Sequence, residues 1–179
     1  FQNSEPARAR RWLEQSAGGG NPAAQETLGR TCIEGASVDA ACAKKWLEPA
    51  AASGRVSAKS VLAWLYAREA TPATMARAAD LYRSAAAAGD PAAQNNLGEL
   101  YETGRGVARD ASQAFVWYRK SAEGGFGPAQ FNLGRLLAFG IGAERDSAAA
   151  RVWAAKAHDQ GIAQAAELLK LIADAERPR

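Results

Sequence analysis

The sequence predicts an all-α repeat protein, a solenoid of stacked helix pairs, and three observations support this prediction. Alanine occupies 44 of the 179 positions, and most of its neighbours are Leu, Arg, Glu and Gln, which are strong helix formers. Val, Ile and Thr are sparse, and no segment alternates apolar and polar residues over the length of a strand. The third observation is an internal repeat with a nearly fixed period, which is typical of a solenoid.

The repeat is marked by glycines that follow one another at intervals of 34, 35, 36 and 36 residues. These glycines are Gly20, Gly54, Gly89, Gly125 and Gly161. A bulky residue stands eight positions before each glycine: Trp12, Trp46, Leu81, Trp117 and Trp153. A leucine stands eight positions after each: Leu28, Leu62, Leu97, Leu133 and Leu169. So many matching columns predict one array of similar units, each too small to bury its own apolar faces.

Each unit is predicted to be two helices, A and B, joined by a turn. In the third unit, helix A runs from Pro91 to about Thr103, because proline is favoured in the first turn of a helix. A glycine-containing turn follows, and Asp110 stands where an N-cap belongs. Helix B then runs to about Glu123, with an inward stripe formed by Ala114, Trp117 and Ser121.

This frame predicts six consecutive segments. They are an N-terminal helix B (1–20), repeat 1 (21–54), repeat 2 (55–89), repeat 3 (90–125), repeat 4 (126–161) and a C-terminal capping helix (162–179), which is expected to extend to about Glu176. The turns of repeats 1 and 2 are shorter by two residues and by one than that of repeat 3, and they lack its paired glycines. Their hairpins are therefore expected to differ in geometry.

The pattern resembles the Sel1-like repeat family, which is related to the tetratricopeptide repeats. The residues that carry the resemblance are 93–98 (AQNNLG), 100–101 (LY), 104–107 (GRGV), Asp110 and 117–122 (WYRKSA), with 140–142 (GIG), Asp146 and Trp153 in the fourth unit. The resemblance implies a right-handed α/α superhelix that serves as a non-catalytic scaffold for protein binding. It further implies an envelope adaptor, or an immunity protein that inhibits a secreted lipase-type toxin.

Comparing the units with one another predicts a binding surface on the A helices. The positions of Asn95, Glu99 and Glu102 lie on one helix face, out of phase with the apolar columns. In this column the aromatic residues Trp64 and Phe131 stand where other units carry mainly polar residues. The predicted partner-binding residues are Trp64, Phe131, Arg30, Arg135, Glu99 and Glu102. The alternative is that the two aromatics fill local gaps left by the altered turns.

The two cysteines lie on opposite arms of one predicted hairpin. Cys32 stands near the end of helix A and Cys42 early in helix B of repeat 1, which favours a disulfide across the short turn. The alternative is two separate thiols packed as small apolar groups. A disulfide points to an oxidising compartment, and the chain begins with Phe1 rather than Met. We therefore expect a bacterial periplasmic protein whose leader has been removed.

Composition argues against several other functions. The formal charge is +3, from 22 basic and 19 acidic residues, and the basic residues are scattered, so nucleic acid is not the expected partner. The sequence contains no run of 18 apolar residues, so no membrane span is predicted. The motifs of phosphate-binding loops are absent, and we expect no cofactor and no metal. His158 is the single histidine; a small hydrolase that uses it, or a structural module of a larger complex, remains the alternative function.

Overall fold

The computed structural model describes residues 5–34 and 38–175, and this part of the chain forms ten α-helices and no β-strand. The helices are α1 (Glu5–Gly18), α2 (Pro22–Thr31), α3 (Ala40–Ala52), α4 (Val56–Glu69), α5 (Pro72–Ala87), α6 (Pro91–Thr103), α7 (Ala111–Glu123), α8 (Gly127–Phe139), α9 (Ser147–Asp159) and α10 (Gln164–Ala175). The even-numbered helices are the predicted A helices, and the odd-numbered ones are the B helices. Phe1 and Glu176, for which expectations were stated, lie outside the described residues.

The chain divides into two compact units, Phe1–Ala88 and Gly89–Arg179. In the first unit, each of the helices α1 to α5 packs on the next, and in the second unit the helices α6 to α10 do the same. Short connections between such helices make neighbours antiparallel, as expected for helix pairs. Across the described residues, every helix is too short or too polar to span a membrane.

The helices begin where the sequence places capping residues. Asp110 accepts a hydrogen bond from the backbone N–H of Gln113 at 3.0 Å, as predicted. Asn21, Asp90 and Asp146 cap α2, α6 and α9 in the same way. Each cap satisfies a backbone donor that has no partner within its helix, and such a cap contributes about 1 kcal/mol. The chain's own polar residues thus set the start of these helices.

The hairpins α2–α3, α6–α7 and α8–α9 share one closing hydrogen bond despite their different turn lengths. The N–H of Asp110 donates to the carbonyl oxygen of Tyr101 at 2.8 Å, and Asp146 donates to Leu137 at 3.0 Å. In the shorter turn of repeat 1, Asp39 donates to Cys32 at 2.9 Å. The loss of two turn residues therefore leaves the junction between α2 and α3 closed in the same manner.

The core lies between the helices, and its phase differs from the prediction at the tryptophan column. Trp117 is only half-buried, whereas the next residue, Tyr118, is 1% exposed. Trp12, at the same column on α1, is 68% exposed. The prediction of an inward Trp117 is thus wrong, although Ala114 and Ser121 of the same stripe are buried. The reason is that Tyr118 occupies the position nearest helix α6.

The half-buried tryptophans are covered by lysines on the side that does not face the core. The Nζ atoms of Lys45, Lys120 and Lys156 lie 4.9, 4.4 and 4.2 Å from the ring centres of Trp46, Trp117 and Trp153, respectively. Lysine stems cover apolar rings while the charged head stays in water, and the ammonium group is attracted to the ring face. This column is therefore a partly solvated surface of the B helices.

A close helix contact explains why Tyr118 is buried. A Cβ atom added to Gly98 of α6 would lie 2.9 Å from the Tyr118 ring, closer than side chains normally approach. Gly29 of α2 has the same relation to Leu47 of α3. In these two pairs, the small residue on the A helix thus admits a large side chain from its B helix. Gly134 of α8 instead lies against the backbone of Ala150 and Ala154 on α9.

The last helix departs from the frame. The other four leucines of the column that contains Leu169 are buried, but Leu169 is half-buried while Leu168 and Ile172 are each 4% exposed. Lys170 explains the change, because it stands where the other A helices have glycine or alanine facing a B helix. The long, charged side chain of a lysine prevents close packing of a B helix on that face of α10. Helix α10 instead packs Leu168 and Ile172 into the core of the second unit.

Candidate functional site

The A helices lie next to one another within each unit, so the predicted binding residues fall into one group in the first unit and another in the second. Helix α2 contacts α4 in the first unit, and α8 contacts α10 in the second. The face predicted to be exposed is only partly so. Glu26 and Asn95, at its first position, are each 8% exposed. The prediction that this position faces solvent is wrong, because the side chains at this position lie between neighbouring A helices.

Polar contacts between successive repeats account for this burial. Glu26 forms an ion pair with Arg55, which immediately precedes α4. In the second unit, the side chain of Asn132 on α8 donates to that of Asn95 on α6 at 3.1 Å. Buried polar groups need such partners, since an unpaired one costs about 1–3 kcal/mol. The first position of the column therefore holds the repeats together.

The ionisation of Glu26 follows from the same contacts. Burial raises the pKa of its carboxyl group. Hydrogen bonds from Arg55 and Ser57, together with the positive charges of Arg55 and Arg30, lower this pKa by more than burial raises it. The net pKa lies below the ordinary value for glutamate. Glu26 is thus ionised at neutral pH and engaged within the chain.

In the first unit, the predicted residues Trp64 and Arg30 lie on adjacent helices, and together with Arg68 we call them the Trp64 face. Trp64 is half-buried on α4, and the guanidinium carbon of Arg68 lies 4.8 Å from the centre of its ring system. Arg30 is exposed on the adjacent helix α2. The sequence comparison identified Trp64 and Arg30 but missed Arg68, although its spacing of four residues from Trp64 on a helix was a usable signal.

The residues predicted for the second unit are mostly engaged within it. Both carboxylate oxygens of Glu102 accept hydrogen bonds from Arg135 Nη2, at 2.6 and 2.7 Å. The Tyr118 hydroxyl also donates to Glu102, at 2.9 Å. Burial, followed by the charge and hydrogen bond of Glu102, raises the pKa of Tyr118 well above its ordinary value. The phenol therefore stays protonated, and the three side chains connect α6, α7 and α8.

Phe131 and Glu99 are placed differently from each other. Phe131 is half-buried and packs against the core of the second unit, so much of its ring is covered by the chain itself. Glu99 is exposed on α6. Of the six predicted binding residues, Arg30, Trp64 and Glu99 thus present at least part of their side chains to solvent without a partner from another repeat.

The structure joins Cys32 and Cys42 by a disulfide, with 5.8 Å between their Cα atoms. We expect mass spectrometry without reductant to find these two residues linked. Reduction should lower the free energy of unfolding by about 2–3 kcal/mol, because the bond closes a loop of 10 residues in the unfolded chain. The control is the double variant Cys32→Ser/Cys42→Ser, whose stability should not respond to reductant. Two freely alkylated thiols in protein from its native compartment would contradict the pairing.

His158 lies exposed in the last turn of α9. In the part of the chain that the structure describes, its imidazole has no hydrogen-bond partner, and no group of three or more His, Cys, Asp or Glu residues could hold a metal ion. A hydrolase would need a nucleophile within hydrogen-bonding distance of the base. The described residues provide no such pair at His158.

A groove between α8 and α10 is a feature that the sequence comparison missed. It has a volume of about 280 Å³ and is lined mainly by apolar side chains. Two of these are among the most exposed large apolar residues that the structure describes: Phe139 at 58% and Leu171 at 49%. A signal was present, since Leu171 stands in the compared column where Arg135 and Glu99 stand in earlier repeats. We call this the α8–α10 groove.

Comparison with known proteins assigns the repeats. The family model described as Sel1 repeat matches residues 2–21, 22–54, 62–90, 91–126 and 127–162. A protective antigen of uropathogenic Escherichia coli strains that displays an SLR fold is 32% identical to the chain, with a TM-score of 0.91. A Sel1 repeat protein from Oxalobacter formigenes is 30% identical, with a TM-score of 0.81. The predicted fold class, an all-α solenoid of Sel1-like helix pairs, is confirmed.

The two solved structures are longer than this chain. The match covers 98% of the chain but 38% of the E. coli protein, and 90% of the chain but 65% of the O. formigenes protein. No curated protein matches the sequence.

Proposed function

We propose that this chain, which belongs to the Sel1 repeat family, is a protein-binding scaffold of the bacterial envelope that engages its partner through the Trp64 face. Sel1 repeat proteins generally mediate protein–protein interactions, and the family is generally non-catalytic. The partner, its role and the cellular location are part of the proposal.

The observation that carries the proposal is the arrangement of one tryptophan and two arginines on adjacent helices. Trp and Arg are the side chains most enriched among residues that dominate binding energy. Arg68 stacks on the Trp64 ring, which restricts the rotamers of both side chains before a partner arrives and so reduces the entropy lost on binding. Arg30 and Arg68 favour a partner with carboxylates beside an apolar surface, because guanidinium groups bind carboxylates with two parallel hydrogen bonds.

The envelope location is supported by the disulfide, because such bonds persist in oxidising compartments. The E. coli relative is a protective antigen, and we propose that this chain is exported. Within that setting, the scaffold acts either as an inhibitor of a secreted lipase-type toxin or as an adaptor between envelope proteins. The captured partner separates the two roles, since an inhibitor must abolish the activity of its partner and an adaptor must bind two proteins at once.

Substitution of Trp64 tests the proposal. The tagged protein is used to capture its partner from an envelope extract of the source organism, and affinity is then measured with the purified partner. We expect Trp64→Ala to weaken binding by about 2 kcal/mol, or roughly 30-fold, because a central aromatic side chain is lost. A moderate loss of stability should accompany it, since the ring is half-buried.

The matched control is Trp12→Ala, which removes a more exposed tryptophan from the B helix α1. This variant should retain the affinity of the unaltered protein. If both variants bind equally well while Trp64→Ala unfolds more readily, the role of Trp64 is packing, and the proposed face is wrong.

A further inference from the structure

The α8–α10 groove differs from the preceding junction between A helices in a way that points to a ligand. The repeats place equivalent residues 36 positions apart, so the contacts between α6 and α8 can be compared directly with those between α8 and α10. At the first junction, Arg135 bonds to Glu102. At the second, the equivalent positions hold Leu171 and Ala138. An ion pair is thus replaced by two apolar side chains.

A second polar contact is replaced in the same way. The hydrogen bond between Asn132 and Asn95 joins α6 and α8 at 3.1 Å, and the equivalent positions at the next junction are Leu168 and Phe131. Leu168 is buried, and Phe131 packs against the same core. Both of these polar contacts between A helices therefore have apolar equivalents at the second junction, and the outer part of the second junction remains an open groove.

Phe139 extends this apolar surface toward solvent. Its equivalent in the preceding repeat is Thr103, whose hydroxyl donates to the backbone of its own helix. Phe139 and Leu171 line the groove and are 58% and 49% exposed. Exposed apolar residues of monomeric proteins are mostly scattered singly, whereas these two side chains line one concavity.

The groove also holds one unpaired positive charge. Arg145 is the single charged residue among the groove-lining side chains, and its guanidinium has no hydrogen-bond or ion-pair partner within the described residues. Its equivalent Arg109 instead donates to the carbonyl oxygen of Glu102 at 3.0 Å. The neighbouring Asp146 forms no ion pair with Arg145 among the described residues, and its carboxylate accepts the N–H of Ala149 to cap α9. The groove therefore offers an apolar surface with a cation at its edge.

The size of the groove limits what it can hold. About 280 Å³ equals the liquid volume of roughly nine water molecules, and it lies just below the range of about 300–1,000 Å³ that is usual for small-molecule sites. This space accommodates one large side chain of a partner together with part of its neighbour. A polypeptide segment fits these dimensions better than a cofactor does.

We propose that the α8–α10 groove binds a segment of a partner protein in which a large apolar side chain is adjacent to an Asp or Glu. The apolar side chain lies against Phe139 and Leu171, and the carboxylate pairs with Arg145. The groove lies on different helices from the Trp64 face, so this site is independent of the function proposed above.

A random peptide library displayed on phage tests the proposal on the intact chain. We expect the selected peptides to share a Leu, Ile, Met or Phe next to an acidic residue. Synthetic versions in which the acid is replaced by its amide should bind at least about tenfold more weakly, because a hydrogen bond to a charged group is lost. The variant Arg145→Gln should lose this preference for the acid and bind both peptides alike.

The chain offers a matched way to close the groove. The double variant Ala138→Glu/Leu171→Arg rebuilds the ion pair of the preceding junction, so it should remain folded by circular dichroism and lose peptide binding. The control is Val152→Thr, which removes another exposed apolar side chain, at 53% exposure, from outside the groove; it should bind normally.

Three results would overturn the proposal. These are a selection that enriches no sequence, selected peptides that bind the double variant as well as the unaltered chain, and enrichment of basic peptides. Self-association of the chain that the double variant abolishes, measured by light scattering, would assign the groove to a second copy instead.

Discussion

Replacement of Tyr118 by alanine is expected to lower the free energy of unfolding by about 3–5 kcal/mol, the usual cost of removing a large buried aromatic side chain. Tyr118 is 1% exposed, packs against Gly98 of α6 and donates a hydrogen bond from its hydroxyl group to Glu102. The adjacent variant Trp117→Ala should cost clearly less, because that ring is half-buried and covered by Lys120.

Denaturation by urea, followed by circular dichroism, measures both losses. Tyr118→Phe provides the control for the hydroxyl group. It keeps the packing and removes one hydrogen bond to a carboxylate that Arg135 still neutralises, so it should cost about 1–2 kcal/mol. If Trp117→Ala proved as damaging as Tyr118→Ala, the tryptophan column would be the core after all, as the sequence alone predicted.

The period of the repeat was sufficient to predict the helices but not the phase of each helix about its axis. The spacing of glycines and the capping residues located α6 and α7 to the residue, because these signals act locally along the chain. The choice between Trp117 and Tyr118 depends on which of two adjacent side chains points at Gly98. Adjacent helix positions differ by about 100°, and either residue type is compatible with a core.

The predicted binding surface was affected by the same limitation. Comparing units flagged Phe131 as an aromatic among polar residues, but it could not reveal that the equivalent Asn95 lies between helices and bonds to Asn132. Phe131 therefore replaces a contact between repeats, which is close to the alternative interpretation that it fills a local gap. Arg135 and Glu102 were assigned separately to the surface, whereas they bind each other. Such pairs become visible only when it is known which residues of successive repeats meet.

The turn before α9 provides the last prediction, since it lies against the start of α7. Gly142 has φ of +72°, in the left-handed region that favours glycine. A Cβ atom added there would overlap the carbonyl group of Ala111 and lie 3.0 Å from the backbone nitrogen of Ser112. Gly142→Ala thus combines backbone strain of about 1–2 kcal/mol with a clash against backbone that a side-chain rotation cannot relieve. We expect a total loss of about 3 kcal/mol or more.

Gly125→Ala separates these two contributions. Gly125 has φ of +86°, but a Cβ atom added there meets nothing within 4 Å, so its substitution should cost only the strain of about 1–2 kcal/mol. In Gly142→Ala, the amides at the start of α7 should also exchange hydrogen faster, because the displaced turn disturbs the backbone at Ala111 and Ser112. Equal losses in the two variants, with unchanged exchange in α7, would mean that the turn at Gly142 does not pack on the start of α7. The close contact between successive repeats at this edge would then not contribute to stability.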